Sequence, residues 1–376
     1  MEVEDKKPKP KKSRSCCIIP IIIVVLIATA FIVAVYVIEK NQTDIVTERG
    51  PAVSYSETFN DTILPDYTVS VKDEEIFNQK MIALLQEYDS GTSNFSEIGD
   101  TLLMPSLTPD ESIATARSTM AFLKEYYPEG YYLVIQQVLK TTEEQPMFSN
   151  FFLRSMDENQ RIDLLVHELS HIGMISHPGY SGYGYVIEDK FVSVSEIEVP
   201  TGDELLKYIT QSSSLDERYL GDSKQKIYTT LDEINSYTKS VRTARAYIRY
   251  QIGAIDEGPA QALSRQLFFL SLQLKNIKEN HPDTWQALMQ EKGFAYVMSR
   301  MVSMAKVEIQ AAEDEGVSGS TSTDYALSID QNLALVEGNQ ALFDEFYAAT
   351  GISAFDNLKN LTQQELTALG IEIEKF

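Results

Sequence analysis

The sequence predicts an α+β protein that is predominantly helical. Two stretches favour strands: residues 131–139 are continuously apolar and β-prone, and residues 186–199 partly alternate between apolar and polar. From residue 203 onward the chain consists almost entirely of segments whose apolar residues recur at helical spacing. The helices that this spacing predicts cover residues 74–88, 109–127, 156–175, 203–211, 224–250, 258–280, 283–312, 326–349 and 362–373.

Composition limits the classes of partner. The chain has 376 residues, of which 43% are hydrophobic, and this is enough for a substantial folded core. Its formal net charge is −23. Nucleic-acid binding needs a basic surface to neutralise phosphates, so we expect no nucleic-acid partner.

The N-terminal region contains an apolar segment. Residues 16–38 carry no charge and are long enough to span a bilayer, and six basic residues precede them within residues 1–15. The positive-inside rule predicts a single-pass cell-membrane protein with its N-terminus in the cytoplasm. We favour an uncleaved signal anchor over a cleaved signal peptide, because no small-x-small cleavage site follows. Residues 39–73 then predict a stalk, and residues 74–376 an extracytoplasmic domain.

One helix carries a metal-binding motif. Residues 167–171 read H-E-x-x-H, in a chain that has only four histidines. His167 and His171, at i and i+4, share one helix face and suit one Zn²⁺ ion, while Glu168 is placed to act as a general base on a metal-bound water. Asp157 is suited to cap the start of this helix.

A catalytic zinc needs a third protein ligand, and three residues compete for this role. His177 follows the motif closely. Glu233 lies on the predicted helix 224–250, and Glu257 precedes the start of the next predicted helix. The remaining candidates are other acidic residues, such as Glu188 and Glu196.

The spacing of His177 after the motif resembles that of the metzincin metallopeptidases. That family places a glycine three residues after the second histidine, whereas this chain has Met174 there and its glycine one position earlier, at Gly173. The family also has a methionine turn, but the next methionine here is Met289, in a predicted helix. These departures disfavour His177.

The H-E-x-x-H helix together with Glu233 resembles the gluzincin metallopeptidases. In that family the glutamate ligand is followed three residues later by a small residue, here Ser236; Glu257 also matches a glutamate-glycine-x-alanine pattern. The resemblance implies a zincin-like fold with a small sheet before the H-E-x-x-H helix, and Glu233 as the favoured ligand. It also implies that Tyr237 stabilises the oxyanion of the reaction.

The sequence therefore predicts a zinc metalloendopeptidase that cleaves peptide or protein substrates with Glu168 as general base. A tyrosine from residues 180–185 is an alternative to Tyr237 for stabilising the oxyanion. We interpret His281 as structural and Trp285 as a core residue. The alternative function is a surface-anchored binding or adhesion protein whose metal site is structural or degenerate.

Overall fold

The protein folds mostly into α-helices, which one small antiparallel sheet accompanies. All described residues belong to one unit within residues 52–376. This architecture confirms the prediction of a predominantly helical α+β protein. The computed structural model describes residues 65–87, 105–140, 145–175, 183–209, 212–250, 258–317, 327–350, 361–371 and 373–376.

The helices are named in chain order. A 3₁₀ helix, Gly202–Tyr208, follows the second strand, and a helical turn, Ser214–Asp216, continues directly into a π-helical segment, Glu217–Asp222. The α-helices are α1 Val71–Glu87, α2 Pro109–Tyr126, α3 Pro128–Lys140, α4 Gln145–Asn150, α5 Glu158–Ile175, α6 Ile227–Arg249, α7 Pro259–Asn280, α8 Pro282–Gln290, α9 Lys292–Asp314, α10 Ile329–Glu337, α11 Gln340–Thr350 and α12 Gln363–Ala368.

Two of the predicted long helices are each divided into two. The predicted helix 283–312 breaks at Glu291, whose backbone is extended and separates α8 from α9. Gly293 lies just after the break, where a Cβ atom would come within 2.9 Å of the Ser193 carbonyl oxygen. The predicted helix 326–349 likewise forms α10 and α11. Both breaks depend on packing, which apolar spacing does not reveal.

The sheet has three antiparallel strands in the order β1-β2-β3, where β1 is Tyr183–Ile187, β2 is Lys190–Val194 and β3 is Ile373–Lys375. Strands β1 and β2 form a hairpin, and β3 pairs with the outer edge of β2. The hairpin confirms strand structure within 186–199. The expectation of a sheet before the H-E-x-x-H helix is not met within the described residues, whose three-stranded sheet follows α5 in the chain.

The predicted strand at residues 131–139 is also wrong, since these residues lie in α3. Nearly every residue of α3 from Glu129 to Val138 is buried. An apolar run that is buried on all sides has no periodicity, so a helix and a strand look alike in the sequence. Pro128 opens the helix at a position where a missing N–H is tolerated.

Helix α6 lies between the two hydrophobic cores of the described residues. The larger core joins the sheet to α7 and α9 and includes Leu231 and Ile234 of α6. The second core is formed by α1 to α5 and includes Ala246 and Tyr247 of α6. Both sides of α6 are therefore fixed by packing, and α6 contacts α5, α7 and α9 directly.

Buried ion pairs also hold α6. Arg242, Arg245 and Arg249 follow one another along the helix and pair with Glu308 of α9 and with Glu315, the residue directly after α9. The Arg242 Nε to Glu308 Oε1 distance is 2.9 Å, as is the Arg245 Nη2 to Glu315 Oε1 distance. Buried pairs require specific geometry, so this series restricts how α6 can rotate against α9.

The predicted single-pass membrane location is corrected. None of the helices in the described ranges is long and apolar enough to cross a bilayer. Residues 1–38, which include the predicted anchor, lie outside those ranges, as does most of the predicted stalk. Of that stalk, residues 65–70 have no regular secondary structure, and α1 already begins at Val71.

We expect Arg265→Leu to lower the free energy of unfolding by about 3–5 kcal/mol. Arg265 is 1% exposed, and it donates two parallel hydrogen bonds of 2.8 Å to the fully buried carboxylate of Asp216. The substitution leaves the buried Asp216 carboxylate without its positively charged partner. Urea unfolding followed by circular dichroism measures the change.

The matched control is Lys278→Ala, which breaks a pair between Lys278 and Glu345 whose side chains are 39% and 40% exposed. Exposed pairs contribute less than about 1 kcal/mol. The double variant Asp216→Asn, Arg265→Leu should regain part of the lost free energy of unfolding, because asparagine removes the uncompensated charge of Asp216. A loss for Arg265→Leu no larger than that of the control would contradict the expectation.

Candidate metal centre

Helix α5 presents the H-E-x-x-H motif on a well-packed support. Ile162, Leu165, Val166 and Leu169 recur at helical spacing and are fully buried, as the sequence predicted. The helix begins directly after Asp157. Because one side of α5 is held in the core, the opposite side is fixed where it faces α6.

The structure brings together the three metal ligands favoured by the sequence. Nε2 of His167 lies 3.0 Å from Nε2 of His171, and each of these atoms lies 3.8 Å from Oε2 of Glu233. A point equidistant from the three atoms lies about 2.1 Å from each, which is the length of zinc bonds to histidine and carboxylate. This buried group can therefore hold a metal ion.

Both histidines are oriented by hydrogen bonds at their other ring nitrogen. Nδ1 of His171 lies 2.6 Å from Oδ2 of the buried Asp232, and Nδ1 of His167 lies 3.1 Å from Oγ of Ser240. Ser236 Oγ also lies 3.3 Å from His171 Nδ1. Donation from Nδ1 leaves each Nε2 lone pair directed at the shared point, as metal-binding histidines require.

The sequence did not identify Asp232 as the orienting carboxylate. It stands directly before Glu233 on the predicted helix, and this adjacency was the only available signal. Its contact with His171 depends on how α5 packs against α6, which no local pattern encodes. Ser240 was missed for the same reason.

The charges at the site respond to burial and to each other. Burial lowers the pKa of His171, but the charge and hydrogen bond of Asp232 outweigh burial and raise the pKa to about 10. Burial lowers the pKa of His167 well below its ordinary value, and the charge of His171 adds to this effect. Burial raises the pKa of Glu233 to about 7. Without a metal, charged His171 therefore donates a proton toward neutral His167.

The ligand atoms open onto a cleft of about 450 Å³, a size common for small-ligand sites. Glu168 and Tyr237, both predicted to be catalytic, line this cleft. The Tyr237 ring packs against the His167 ring at 4.5 Å between centroids. Its hydroxyl lies 3.0 Å from that of Tyr219, which also donates a 3.4 Å hydrogen bond to Glu233.

Arg218 and Tyr219 also line the cleft, and the sequence analysis missed both. They lie on the π-helical segment Glu217–Asp222. This segment contains no motif, and the sequence analysis assigned no helix to it. π-Helical turns are frequent at functional sites, but the backbone is needed to recognise them.

Of the other candidate ligands, only Glu188 and Glu196 belong to the part of the chain that the structure describes, and neither is in the group. His177 and Glu257 lie outside the described residues. Glu188 is buried in the β1–β2 turn, where it pairs with Arg300 at 2.6 Å. Glu196 is exposed and is not a member of the three-residue group.

The remaining predicted residues lie elsewhere. His281 pairs with Glu204 at 3.1 Å, and Trp285 is buried against Phe346, in agreement with the prediction of a core residue. Of the tyrosines at 180–185, Tyr185 is fully buried and donates a hydrogen bond to the Tyr228 carbonyl oxygen, so it does not reach the cleft.

Comparison with known proteins found no matching family model, no matching curated protein and no matching solved structure.

We expect single alanine substitutions of His167, His171 and Glu233 to abolish stoichiometric zinc binding, because each removes one of three ligands. The measurement is elemental analysis of the full chain after dialysis against buffered zinc, with about one zinc per wild-type chain expected. The control is His281→Ala, which removes a histidine outside the group. Full zinc retention by Glu233→Ala would disprove the ligand assignment.

Zinc binding near pH 8.5 should release about one proton, since His171 must lose the proton that its pKa of about 10 retains. Glu233, with a pKa of about 7, is already ionised there. Affinity should therefore fall about tenfold per pH unit from pH 10 to 7, and more steeply below pH 7. Calorimetry in buffers of different ionisation enthalpy counts the protons.

The matched variant for this experiment is Asp232→Asn. It removes the charge that raises the pKa of His171, so fewer protons should be released at the same pH. Zinc affinity that does not change between pH 7 and 9 would contradict the proton assignment.

Proposed function

We propose that the protein is a zinc-dependent peptidase whose active site is formed by α5 and α6. One observation carries the proposal: two histidines and a glutamate converge on one point at the edge of an open cleft that Glu168 also lines. Catalytic zinc sites use three protein ligands and keep one position open, whereas structural sites are usually closed by four ligands, often cysteines.

The chemical types of the three ligand atoms favour zinc over other common metal ions. Two imidazole nitrogens and one carboxylate oxygen match catalytic zinc sites, whereas calcium and magnesium prefer oxygen ligands alone. When bound, zinc polarises a peptide carbonyl and makes water a stronger acid. The residues that would hold it are His167, His171 and Glu233.

Glu168 is the general base of the proposed reaction. It follows His167 on α5 and lines the cleft beside the ligands, and its side chain is only partly buried. A carboxylate there accepts the proton of the attacking water and then donates it to the leaving amine. The orienting groups Asp232 and Ser240 contact the Nδ1 atoms of the histidines, which leaves the Nε2 atoms available for the metal.

Tyr237 and Tyr219 supply hydroxyl groups near the reacting carbonyl. Their oxygens lie 3.0 Å apart, and we assign the Tyr237 hydroxyl as the donor to the reacting carbonyl once a substrate is bound. A donor fixed before the reaction stabilises the negative oxygen that develops as water attacks. Packing of the Tyr237 ring against His167 holds this donor in place.

The resemblance to gluzincins supports the same assignment. The small residue that follows the glutamate ligand, Ser236, lies against His171, where a larger side chain would interfere with the bond to Asp232. A binding protein with an inert metal site is the competing function, and no residue in the cleft specifically favours it.

With zinc-loaded full-length protein and a peptide library, we expect cleavage that Glu168→Gln reduces about 10²- to 10⁴-fold in kcat. Glutamine keeps the shape of glutamate but cannot accept the proton, so zinc content should not change. Mass spectrometry of the products gives the rate. The control is Glu279→Gln, the same change at an exposed position near the end of α7. Zinc binding without Glu168-dependent cleavage would favour the binding protein.

Tyr237→Phe should lower kcat about 10²- to 10³-fold with little change in KM, because it removes one hydrogen bond that forms mainly in the transition state. The ring contact with His167 is retained. Tyr208→Phe, outside the cleft, is the control. An unchanged kcat for Tyr237→Phe combined with a large loss for Tyr219→Phe would transfer the role to Tyr219.

A further inference from the structure

Arg218 stands out among the residues that line the cleft. It is the only lysine or arginine among them, whereas four are acidic: Asp163, Glu168, Asp232 and Glu233. Its side chain is exposed, and it forms no hydrogen bond or ion pair with any described residue. The positively charged Arg218 side chain therefore lies at an acidic cleft and contributes no ion pair to the described part of the fold.

The buried arginines of α6, α7 and α9 behave differently. Each pairs with a carboxylate from another part of the same protein. They are Arg242, Arg245, Arg249, Arg265 and Arg300. The planar guanidinium group is suited to hold a carboxylate through two parallel hydrogen bonds, and in Arg218 this capacity is free for a ligand.

The backbone that carries Arg218 is firmly held. The Arg218 carbonyl oxygen accepts a 3.0 Å hydrogen bond from the Ser223 N–H, and the Tyr219 carbonyl oxygen accepts one of 2.8 Å from the Gln225 N–H. Asp216, just before the π-helical segment, is fixed by its two bonds to Arg265. Arg218 therefore projects from an ordered turn, next to the tyrosine that contacts Glu233.

We propose that Arg218 binds a carboxylate of the peptide substrate and so determines which peptides enter the cleft. This inference rests on the proposed peptidase function. The carboxylate comes either from the C-terminus of the peptide or from an aspartate or glutamate side chain near the scissile bond. Because the protein carries a net charge of −23, an anionic substrate needs such a local cation to offset general repulsion.

The test measures binding, so it does not depend on turnover. Zinc-loaded Glu168→Gln protein is titrated with two matched pairs of peptides from the same library. One pair differs only in a free or amidated C-terminus, and the other only in glutamate or glutamine at one position. In one of the pairs, we expect the charged member to bind about ten- to a hundred-fold more tightly, the range of a charge-assisted hydrogen bond.

Added to that protein, Arg218→Gln should abolish the preference, and Arg218→Lys should retain only part of it, because lysine keeps the charge but not the paired donors. The control is Arg117→Gln, which removes an exposed arginine of α2 that does not line the cleft. The pair that shows the preference identifies the source of the carboxylate.

Equal binding of charged and neutral peptides, binding of none of the four, or a preference that survives Arg218→Gln would overturn the inference. The last outcome would mean that the carboxylate binds the zinc itself. Failure of the peptidase function is seen separately, as an absence of Glu168-dependent cleavage by the wild-type protein. Failure of the Arg218 inference can therefore be distinguished from failure of the proposed function.

Discussion

The packing of α5 against α6 is the contact on which the candidate site depends. Helix α5 contributes both histidines, and α6 contributes Glu233 and the groups that orient them. A shift of one residue along either helix would move its side chains by about 1.5 Å and rotate them by about 100°. The distances of 3.0 and 3.8 Å between ligand atoms therefore require this one helix pairing.

Buried charge makes that pairing specific. Hydrophobic packing alone tolerates small rotations of a helix, because apolar contacts are not directional. The ion pairs of the α6 arginines are directional, since each arginine must reach a particular carboxylate in α3, in α9 or at the residue directly after α9. Buried pairs often add little net stability, and their better supported role is to select one arrangement over others. Here that arrangement is the one that turns Glu233 toward the histidines.

The sequence predicted the features that are local. His167, Glu168 and His171 depend only on the helical period, and Glu233 could be found through its resemblance to a known ligand pattern. Asp232 could not be assigned, because its contact with His171 joins two helices that are distant in the chain. The strand expected at 131–139 failed because complete burial removes the periodicity that separates strands from helices. The third sheet strand pairs with residues far earlier in the chain, which no local signal reveals.

The contact between His167 and His171 has a consequence for how the proposed metal site would be filled. Zinc fingers are unfolded without their ion, because the ion supplies the energy of folding. Here the proposed ligands lie on long helices fixed by two cores and by ion pairs, and the two imidazole Nε2 atoms already lie within hydrogen-bond distance of each other. If the site binds zinc as proposed, the chain can therefore fold first and acquire the ion afterwards. The supply of metal would then govern the proposed activity without changing how much folded protein is present.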